Sequence, residues 1–235
     1  MPVEANSVPR LEAGREGGWW LRRWASGRVV AGITSRHVET SLLLRRLQAP
    51  PTVEAEQVHG SSVAAIERRT GSLPPVQGCD ALVTSVPGLA LLIRTADCLP
   101  LFFADPSRGV VGLAHVGWRG LAEELPARVL AMCRHVYHSP ASELRVVIGP
   151  AIRSCCYEVG LEFESRFGRF VQVRGGRRTC DLIGVAMDQL LRCGIRPEHL
   201  LDSQRCTACE AQHWFSLRRE GQATGRLTAL IMVRP

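Results

Sequence analysis

The stretch RTADCLPLFFADPSRGVVGLAHVGWRGL, residues 94 to 121, decides the fold. It contains two apolar runs, Leu99–Phe103 and Val110–Ala114, separated by a short polar turn, and each run predicts a buried strand. Cys98 comes directly before the first run, and His115 comes directly after the second. Polar side chains at the ends of buried strands are costly to place without a use. We therefore interpret this stretch as the centre of an active site.

Short apolar runs and helical periodicities continue on both sides of this stretch. Further strands are predicted at residues 29–34, 81–84, 89–93, 145–149 and 227–233, and helices at residues 41–47, 121–138, 161–171 and 182–193. Pro126 lies early in the second helical segment, where it would bend or restart the helix. Three tryptophans at positions 19, 20 and 24 are expected to pack against the core. The pattern predicts a single α+β domain with a mixed β-sheet core flanked by helices.

The domain is expected to cover residues 19–235, after a loose N-terminal leader at residues 1–18 that is rich in Glu, Gly and Pro. A chain of 235 residues is long enough for one substantial core. No apolar run approaches the roughly 20 residues that span a bilayer, and the first residues lack the apolar stretch of a signal peptide. We expect a cytoplasmic protein, a monomer with no membrane partner.

The formal charge of +7 comes from 29 basic residues, all of them arginine, and these are scattered in single positions and short pairs. A nucleic-acid groove would cluster them among stacking aromatics, which make up only 6% of the chain. We therefore expect no nucleic-acid partner. Isolated arginines are better suited to an anionic small molecule.

Two histidines and a cysteine match the protein ligands of a catalytic zinc ion, which keeps a fourth position open. His59 lies in a turn between two β-prone pieces, and Cys98 and His115 lie at strand ends. A thiolate and two neutral imidazoles would leave a zinc site at a formal charge of about +1, able to attract an anion or acidify a water molecule. The wide spacing leaves an alternative, in which Cys98 packs as a small hydrophobe and His115 bonds a backbone carbonyl.

The nine cysteines are an odd number in a chain that we expect to be intracellular, which favours free thiols or a metal site over disulfides. Cys206 and Cys209 form a CxxC motif with His213 four residues later, but a fourth metal ligand is not evident. Reduced thiols near the core are therefore expected there. Cys155 and Cys156 are expected to shape the loop after the strand at residues 145–149.

Six motifs, QVHG, TADC, HVGWRG, IGPAI…CCYEVG, DSQRCTAC and WFSLRR…TGR, follow one another between Gln57 and Val233. Together they resemble the laccase-domain family, whose members are described as multicopper polyphenol oxidases and as purine nucleoside phosphorylases. The resemblance implies zinc as the cofactor, bound by His59, Cys98 and His115. It also implies a sandwich-like fold similar to that of a bacterial cytotoxic-factor deamidase domain.

The resemblance implies phosphorolysis of adenosine, inosine or guanosine to the free base and ribose 1-phosphate, with deamination of adenosine as a second activity. The partners would be a purine nucleoside and phosphate, and Arg119 or Arg94 together with the metal would hold the phosphate. Cys98, His115, Arg119 and Asp97 are the candidate catalytic residues. Asp97 is a candidate for proton transfer, although orientation of a ligand imidazole is the favoured role.

The candidate substrate-binding residues are Gln57, Arg94, Arg119, Ser216 and Arg218. The last two belong to the WFSLRR motif, for which we expect a structural or substrate-side role, with Arg219 as the more exposed arginine. The segment from Ile33 to His59 is shorter than is usual in the family and lacks an Asn-Leu-Gly motif. A substrate contact supplied there would be absent or replaced.

Three alternatives from other classes remain open at this point. A copper polyphenol oxidase could use the same two histidines and cysteine with a distant methionine. It would need further histidine-rich clusters, which the remaining histidines (His37, His135, His138, His199 and His213) do not form. A thiol hydrolase acting on a peptidoglycan precursor would use Cys98 as nucleophile and His115 as base. The third is a binding module without catalysis.

Overall fold

Two six-stranded β-sheets form the centre of the computed structural model, which describes residues 10–14, 18–22, 24–25, 27–67, 71–72 and 74–235. In chain order the strands are β1 (Arg10–Ala13), β2 (Gly18–Arg22), β3 (Val29–Thr34), β4 (Thr52–Glu54), β5 (Val63–Ile66), β6 (Ala81–Thr84), β7 (Ala90–Thr95), β8 (Leu99–Asp105), β9 (Val110–Val116), β10 (Arg145–Ile148), β11 (Val171–Arg174), β12 (Arg177–Cys180), β13 (Leu200–Asp202) and β14 (Leu227–Val233). The helices are α1 (Thr40–Arg46), α2 (Trp118–Ala122), α3 (Leu125–Tyr137), α4 (Glu162–Phe167), α5 (Leu182–Arg192) and α6 (Leu217–Glu220). Short 3-10 turns cover Ala141–Glu143, Gly168–Phe170 and Pro197–His199.

The first sheet has the strand order β1-β2-β3-β14-β7-β4, and the second has the order β13-β10-β8-β9-β6-β5. Most neighbours are antiparallel, but β4–β7, β5–β6 and β10–β13 are parallel pairs. Strands β11 and β12 form a separate hairpin. Both sheets are therefore mixed, and the predicted α+β fold with a mixed β-sheet core is confirmed.

Strand β8 shows how the layers are packed, because its side chains alternate between two hydrophobic clusters. Leu101 and Phe103 belong to the cluster that contains residues of α3 and α5. Phe102 and Ala104 belong to the cluster that contains residues of β7 and β14 from the other sheet. Since successive side chains of a strand point to opposite faces, the second sheet is covered by helices on one face and by the first sheet on the other. This explains why every residue of β8 is buried.

The outer face of the first sheet is covered by α1. Leu43 of this helix is buried in a third cluster with side chains from β2, β3, β7 and β14, among them Trp20 and Leu92. Trp19, Trp20 and Trp24 are all buried, as predicted. The order of layers is thus one helix, two sheets and a second layer of helices.

The predicted strands at residues 29–34 and 227–233 have these bounds in the structure. The helix predicted at residues 121–138 is instead two helices, because α3 restarts with Pro126 in its first turn and Glu124 before it has a left-handed backbone conformation. The predicted helix at residues 161–171 ends at Phe167 and leads through a 3-10 turn into β11. The β11–β12 hairpin and β13 were not predicted from the sequence, because they are short and have little hydrophobic alternation.

Part of the predicted N-terminal leader forms a β-strand. Arg10–Ala13 forms β1, which is antiparallel to β2 in a register that sets Arg10 opposite Arg22. Residues 1–9 and 15–17, which the leader also includes, lie outside the described residues. In the part of the chain that the structure describes, no helix is long and apolar enough to cross a membrane.

Candidate metal centre and pocket

The structure brings together the three residues that were predicted as metal ligands. His59 lies in the bend between β4 and β5, Cys98 directly precedes β8, and His115 lies near the end of β9. Because the β8–β9 register sets Leu99 opposite Val116, the thiol and the second imidazole lie at the same end of the sheet. One ligand atom from each of the three residues lies within 4.8 Å of the other two.

The buried carboxylate of Asp80 accepts hydrogen bonds from two of the three candidate ligand residues, His59 and His115. Its Oδ1 accepts hydrogen bonds from His115 Nδ1 (2.9 Å) and from the backbone N–H of His59 (3.0 Å). Its Oδ2 accepts a bond from the N–H of Gly60 (2.7 Å), and its own carbonyl accepts the N–H of His115 (2.8 Å). In the neutral ring, a proton on Nδ1 leaves Nε2 of His115 free to bind a metal, which is the usual arrangement for a metal-bound histidine.

Sequence reasoning missed Asp80. The available signal was a charged residue directly before the buried strand β6, in the turn Gly78-Cys79-Asp80. The role that we favoured for Asp97, orientation of a ligand imidazole, belongs to Asp80 in the structure. Asp97 accepts hydrogen bonds from the Thr207 hydroxyl at Oδ1 (2.6 Å) and from the N–H of Arg218 at Oδ2 (2.7 Å). The Asp97 carboxylate therefore connects its own segment to the segments that contain Thr207 and Arg218.

The electrostatics of the group favour a thiolate. Burial alone would raise the pKa of Cys98, but hydrogen bonds and charge from His115 and His59 lower this pKa to about 6. Burial would lower the pKa of His115, but Asp80 and Cys98 raise it to about 9. Burial likewise opposes ionisation of Asp80, and its hydrogen bonds from His115 and Gly60 bring its pKa below the usual value. The thiolate is the form of cysteine that binds metals.

The backbone around the ligands is locally strained and closely packed. Gln57, His59 and Asp97 all have positive φ angles (66°, 60° and 87°), which are uncommon for residues other than glycine. A Cβ atom at Gly117 would lie 3.2 Å from Cys98 Sγ and 3.6 Å from His59 Cδ2. A side chain at Gly117 would therefore crowd two of the three candidate ligands.

The centre lies between two cavities, and His59 and Cys98 line both of them. The first, which we call the aromatic pocket, has a volume of about 440 Å³. It is lined by His59, Ala96, Asp97, Cys98, Gly117, Trp118, Arg119, Ile152, Tyr157, Leu182, Leu217 and Arg218. The second, which we call the Arg94 cleft, has a volume of about 810 Å³ and also contains His115, Glu54 and Gln57.

The predicted substrate contacts differ in how free they are to bind a ligand. Arg119 is exposed in the aromatic pocket with its guanidinium 4.4 Å from the ring centroid of Trp118, and no ion pair to it exists among the described residues. Arg94 lies in the cleft and is paired with Glu54 at 2.5 Å. The side-chain amide of Gln57 is hydrogen-bonded to the backbone of Arg94: it donates to the Arg94 carbonyl and accepts the Arg94 N–H, each at 2.6 Å. Arg119 is therefore the cation best placed for an anion beside the centre.

The WFSLRR motif has a mainly structural arrangement. Ser216 is fully buried, caps α6 by accepting the N–H of Arg219, and lines neither cavity. Arg218 is exposed in the aromatic pocket. The expectation that Arg219 would be the more exposed arginine is wrong, because its guanidinium donates to the carbonyls of Thr207, Ala208 and Trp214.

Comparison with known proteins shows the family of this chain. A family model described as multi-copper polyphenol oxidoreductase laccase matches residues 34–234. The chain belongs to this family. The laccase-family chain is 36% identical to purine nucleoside phosphorylase YlmD of Geobacillus stearothermophilus over 192 residues, which cover 75% of this chain and 70% of YlmD. It is 32% identical to adenosine deaminase RL5 of an unknown prokaryotic organism over 190 residues, covering 74% of this chain and 72% of RL5.

Solved structures show the same fold. The crystal structure of YlmD from Geobacillus stearothermophilus superposes with a TM-score of 0.84 at 28% identity, covering 97% of this chain and 100% of that one. The structure of the hypothetical protein YfiH of Bacillus licheniformis also gives a TM-score of 0.84, at 25% identity, covering 95% of this chain and 99% of that one. Because the relatives have enzyme names and the centre is present, this laccase-family chain is an enzyme.

Replacing Asp80 by Asn should weaken metal binding at this centre by about 10- to 100-fold, because the amide no longer accepts a full charge-assisted bond from His115. The measurement is the metal retained after equilibration with graded concentrations of a chelator. Asp188→Asn is the matched control, since Asp188 forms surface ion pairs with Arg169 and Arg192. Equal retention by the Asp80 and Asp188 variants would contradict the role of Asp80.

A second prediction concerns Glu220, whose carboxylate accepts bonds from Arg219, Arg36 and Thr224. The Arg219 and Thr224 bonds lower the pKa of Glu220 to about 2 from 4.5. Its contribution to stability is therefore complete above pH 4.5 and is lost as the pH falls towards 2. Glu220→Gln should destabilise the protein more at pH 7 than at about pH 3.5 in urea unfolding. Glu198→Gln, which removes no ion pair in the described chain, should show no such pH dependence.

Proposed function

We propose that the chain is a zinc-dependent purine nucleoside phosphorylase, which converts a purine nucleoside and phosphate to the free base and ribose 1-phosphate. The observation that carries this proposal is a centre of two imidazoles and one thiol that opens on a pocket lined by aromatic rings and arginines. The volume of about 440 Å³ lies in the range of small-ligand sites. The name of YlmD, a relative at 36% identity, supports the same reaction.

The donor set fits zinc. Two imidazoles and a thiolate are the soft and intermediate ligands that zinc prefers, and three protein ligands are typical of a catalytic zinc site. Asp80 behind His115 supplies the carboxylate that commonly supports such a ligand. When bound, zinc would supply Lewis acidity and one open coordination position beside the pocket.

The protein's own residues would bind and orient the two substrates. Trp118 and Tyr157 offer aromatic surface to a purine, each with an arginine guanidinium over its ring, and Ile152 and Leu182 add apolar surface. Arg119 would hold the phosphate dianion close to the ribose. In phosphorolysis a phosphate oxygen forms a bond to C1′ of the ribose while the N-glycosidic bond breaks, and the base leaves with that electron pair and takes up a proton.

Deamination of adenosine is a second candidate reaction at the same pocket. It is supported by the name of RL5, adenosine deaminase, a relative at 32% identity. In this reaction water replaces phosphate as the acceptor, and the purine amino group leaves as ammonia while the glycosidic bond stays intact. Neither reaction would need a ligand from a second copy of the protein, because His59, Cys98 and His115 come together within one chain. We propose that the enzyme acts as a monomer on small molecules.

Copper and thiol chemistry are less well supported. Within the described residues, the other group of potential metal ligands is made of four cysteines, so no histidine cluster for oxygen reduction accompanies the centre. Cys98, His115 and Asp80 do resemble a nucleophile, a base and an orienting carboxylate. However, a thiol hydrolase needs one imidazole, and ring nitrogens of two imidazoles lie within 4.8 Å of the Cys98 sulfur. The second imidazole, that of His59, favours a metal site.

The direct test is incubation of the purified enzyme with adenosine and phosphate, followed by chromatographic separation of adenine, inosine and hypoxanthine. We expect adenine with phosphate, and inosine if deamination occurs. Cys98→Ala should lose the metal of this centre and at least about 100-fold of the turnover, because a three-ligand site rarely survives the loss of one ligand. No product from zinc-loaded protein would refute the nucleoside proposal. Rapid alkylation of Cys98 by iodoacetamide in that protein would favour the thiol hydrolase.

Arg119→Ala should raise the KM for phosphate by about 10- to 100-fold, since a hydrogen-bonded charge pair contributes about 1.5–3 kcal/mol. The KM for the nucleoside should change much less, and initial rates at varied phosphate measure the difference. Arg134→Ala is the control, because Arg134 is exposed on α3 and lines neither cavity. An unchanged KM for phosphate in the Arg119 variant would assign the anion to another residue.

A further inference from the structure

A second group of potential metal ligands lies outside the centre described above. Cys155 and Cys156 lie in the turn that follows β10, and Cys206 and Cys209 lie in the turn that follows β13. Their four sulfur atoms all lie within 4.8 Å of one another. From the sequence, the CxxC pair was expected to be reduced thiols without a metal, since Cys155 and Cys156 are about 50 positions away in the chain.

Four of the six distances between the sulfur atoms are close to those of a tetrahedron around one ion, and all six are within 4.8 Å. Cys155 Sγ lies 3.7 Å from Cys156 Sγ, 3.7 Å from Cys206 Sγ and 3.6 Å from Cys209 Sγ, and Cys156 Sγ lies 3.3 Å from Cys209 Sγ. Four sulfurs bound to zinc at about 2.3 Å would be separated by about 3.8 Å. A disulfide would need a separation of about 2.05 Å, and all four thiols are free.

Backbone hydrogen bonds and an ion pair hold the two turns together without any contribution from the thiol groups. Ala151 and Cys206 form a parallel bridge, in which the N–H of Ala151 bonds the Arg205 carbonyl (3.3 Å) and the N–H of Thr207 bonds the Ala151 carbonyl (3.1 Å). The guanidinium of Arg153 binds Asp202 through two bonds of 2.9 and 2.8 Å. The geometry of the four sulfurs is therefore set by the fold around them.

We propose that Cys155, Cys156, Cys206 and Cys209 bind a second zinc ion, in a closed site with four thiolate ligands. Such a site has no open position for a substrate and serves structure. Four thiolates around a divalent cation leave a net charge of about −2. Arg153 and Arg205, which lie close to the ligands in sequence, are each paired with a carboxylate, that of Asp202 and that of Glu210.

The four-cysteine site would support one wall of the aromatic pocket. Tyr157, which lines the pocket, directly follows Cys156. Thr207 directly follows Cys206, and its hydroxyl donates to Asp97 at 2.6 Å, next to Cys98. An ion that joins the two turns would therefore fix the positions of a pocket aromatic and of the loop that carries Cys98. This inference stands without the proposed reaction, because it rests on the ligand geometry.

The test is the zinc content of protein purified under reducing conditions, measured by elemental mass spectrometry. We expect about two zinc ions per chain in the wild type and about one in either Cys98→Ala or the double variant Cys155→Ser/Cys209→Ser. Cys193→Ser is the matched control, because Cys193 is an exposed free thiol outside both groups, and it should keep both ions. One ion in the wild type and none in Cys98→Ala would overturn the proposal.

A second measurement keeps all four cysteines, so that its result does not depend on the folding of the double variant. The Cys98→Ala protein loaded with Co²⁺ should show the intense thiolate-to-cobalt charge-transfer absorption and tetrahedral visible bands of a site with four sulfur ligands. A strong chelator should abolish this spectrum and make four thiols reactive to iodoacetamide. Immediate alkylation of these cysteines in the metal-loaded protein, or a disulfide among them in the intact mass, would refute the site.

Discussion

The candidate metal centre depends on the hydrogen bonds that the buried carboxylate of Asp80 accepts. Asp80 lies directly before β6, the strand between β9 and β5 in the second sheet, and it is fully buried. It binds the imidazole of His115 and the backbone of His59 at the same time. A buried charge is tolerated only when its oxygens are hydrogen-bonded. The carboxylate thus requires the His59 bend and the end of β9 to stay together, and so positions two ligands with one group.

The sheets contribute the second constraint, which is register. Because β8 and β9 are buried on both faces, a slip by one residue would move their side chains to the wrong cluster. The register therefore places Cys98 beside His115 with little freedom. Between the aromatic pocket and the Arg94 cleft, these two residues and His59 form a centre that is accessible from both sides. This access and the membership of the laccase family fit an enzyme that uses a metal ion.

The two groups of metal ligands differ in a way that matches different uses. The group of His59, Cys98 and His115 offers three ligands and faces cavities, so a substrate can reach a fourth position. The four cysteines offer a complete tetrahedral set in two turns that also carry Tyr157 and Thr207. Thr207 links the second group to the first through Asp97. In the proposed arrangement, one ion would take part in chemistry and the other would shape the pocket around it.

The sequence by itself determined the α+β class and the bounds of β3 and β14, and it singled out His59, Cys98 and His115 as candidate ligands, which the structure brings together. Hydrophobic periodicity is a local signal, and the motifs are contiguous, so both can be recognised without coordinates. Only the tertiary structure showed that Asp80 supports His115, that Asp97 binds Thr207 and Arg218, and that Arg219 is the more buried arginine. It also joined Cys155 and Cys156 to the CxxC motif. These contacts connect residues that are distant in the chain, and their geometry depends on how the sheets pair and the loops pack.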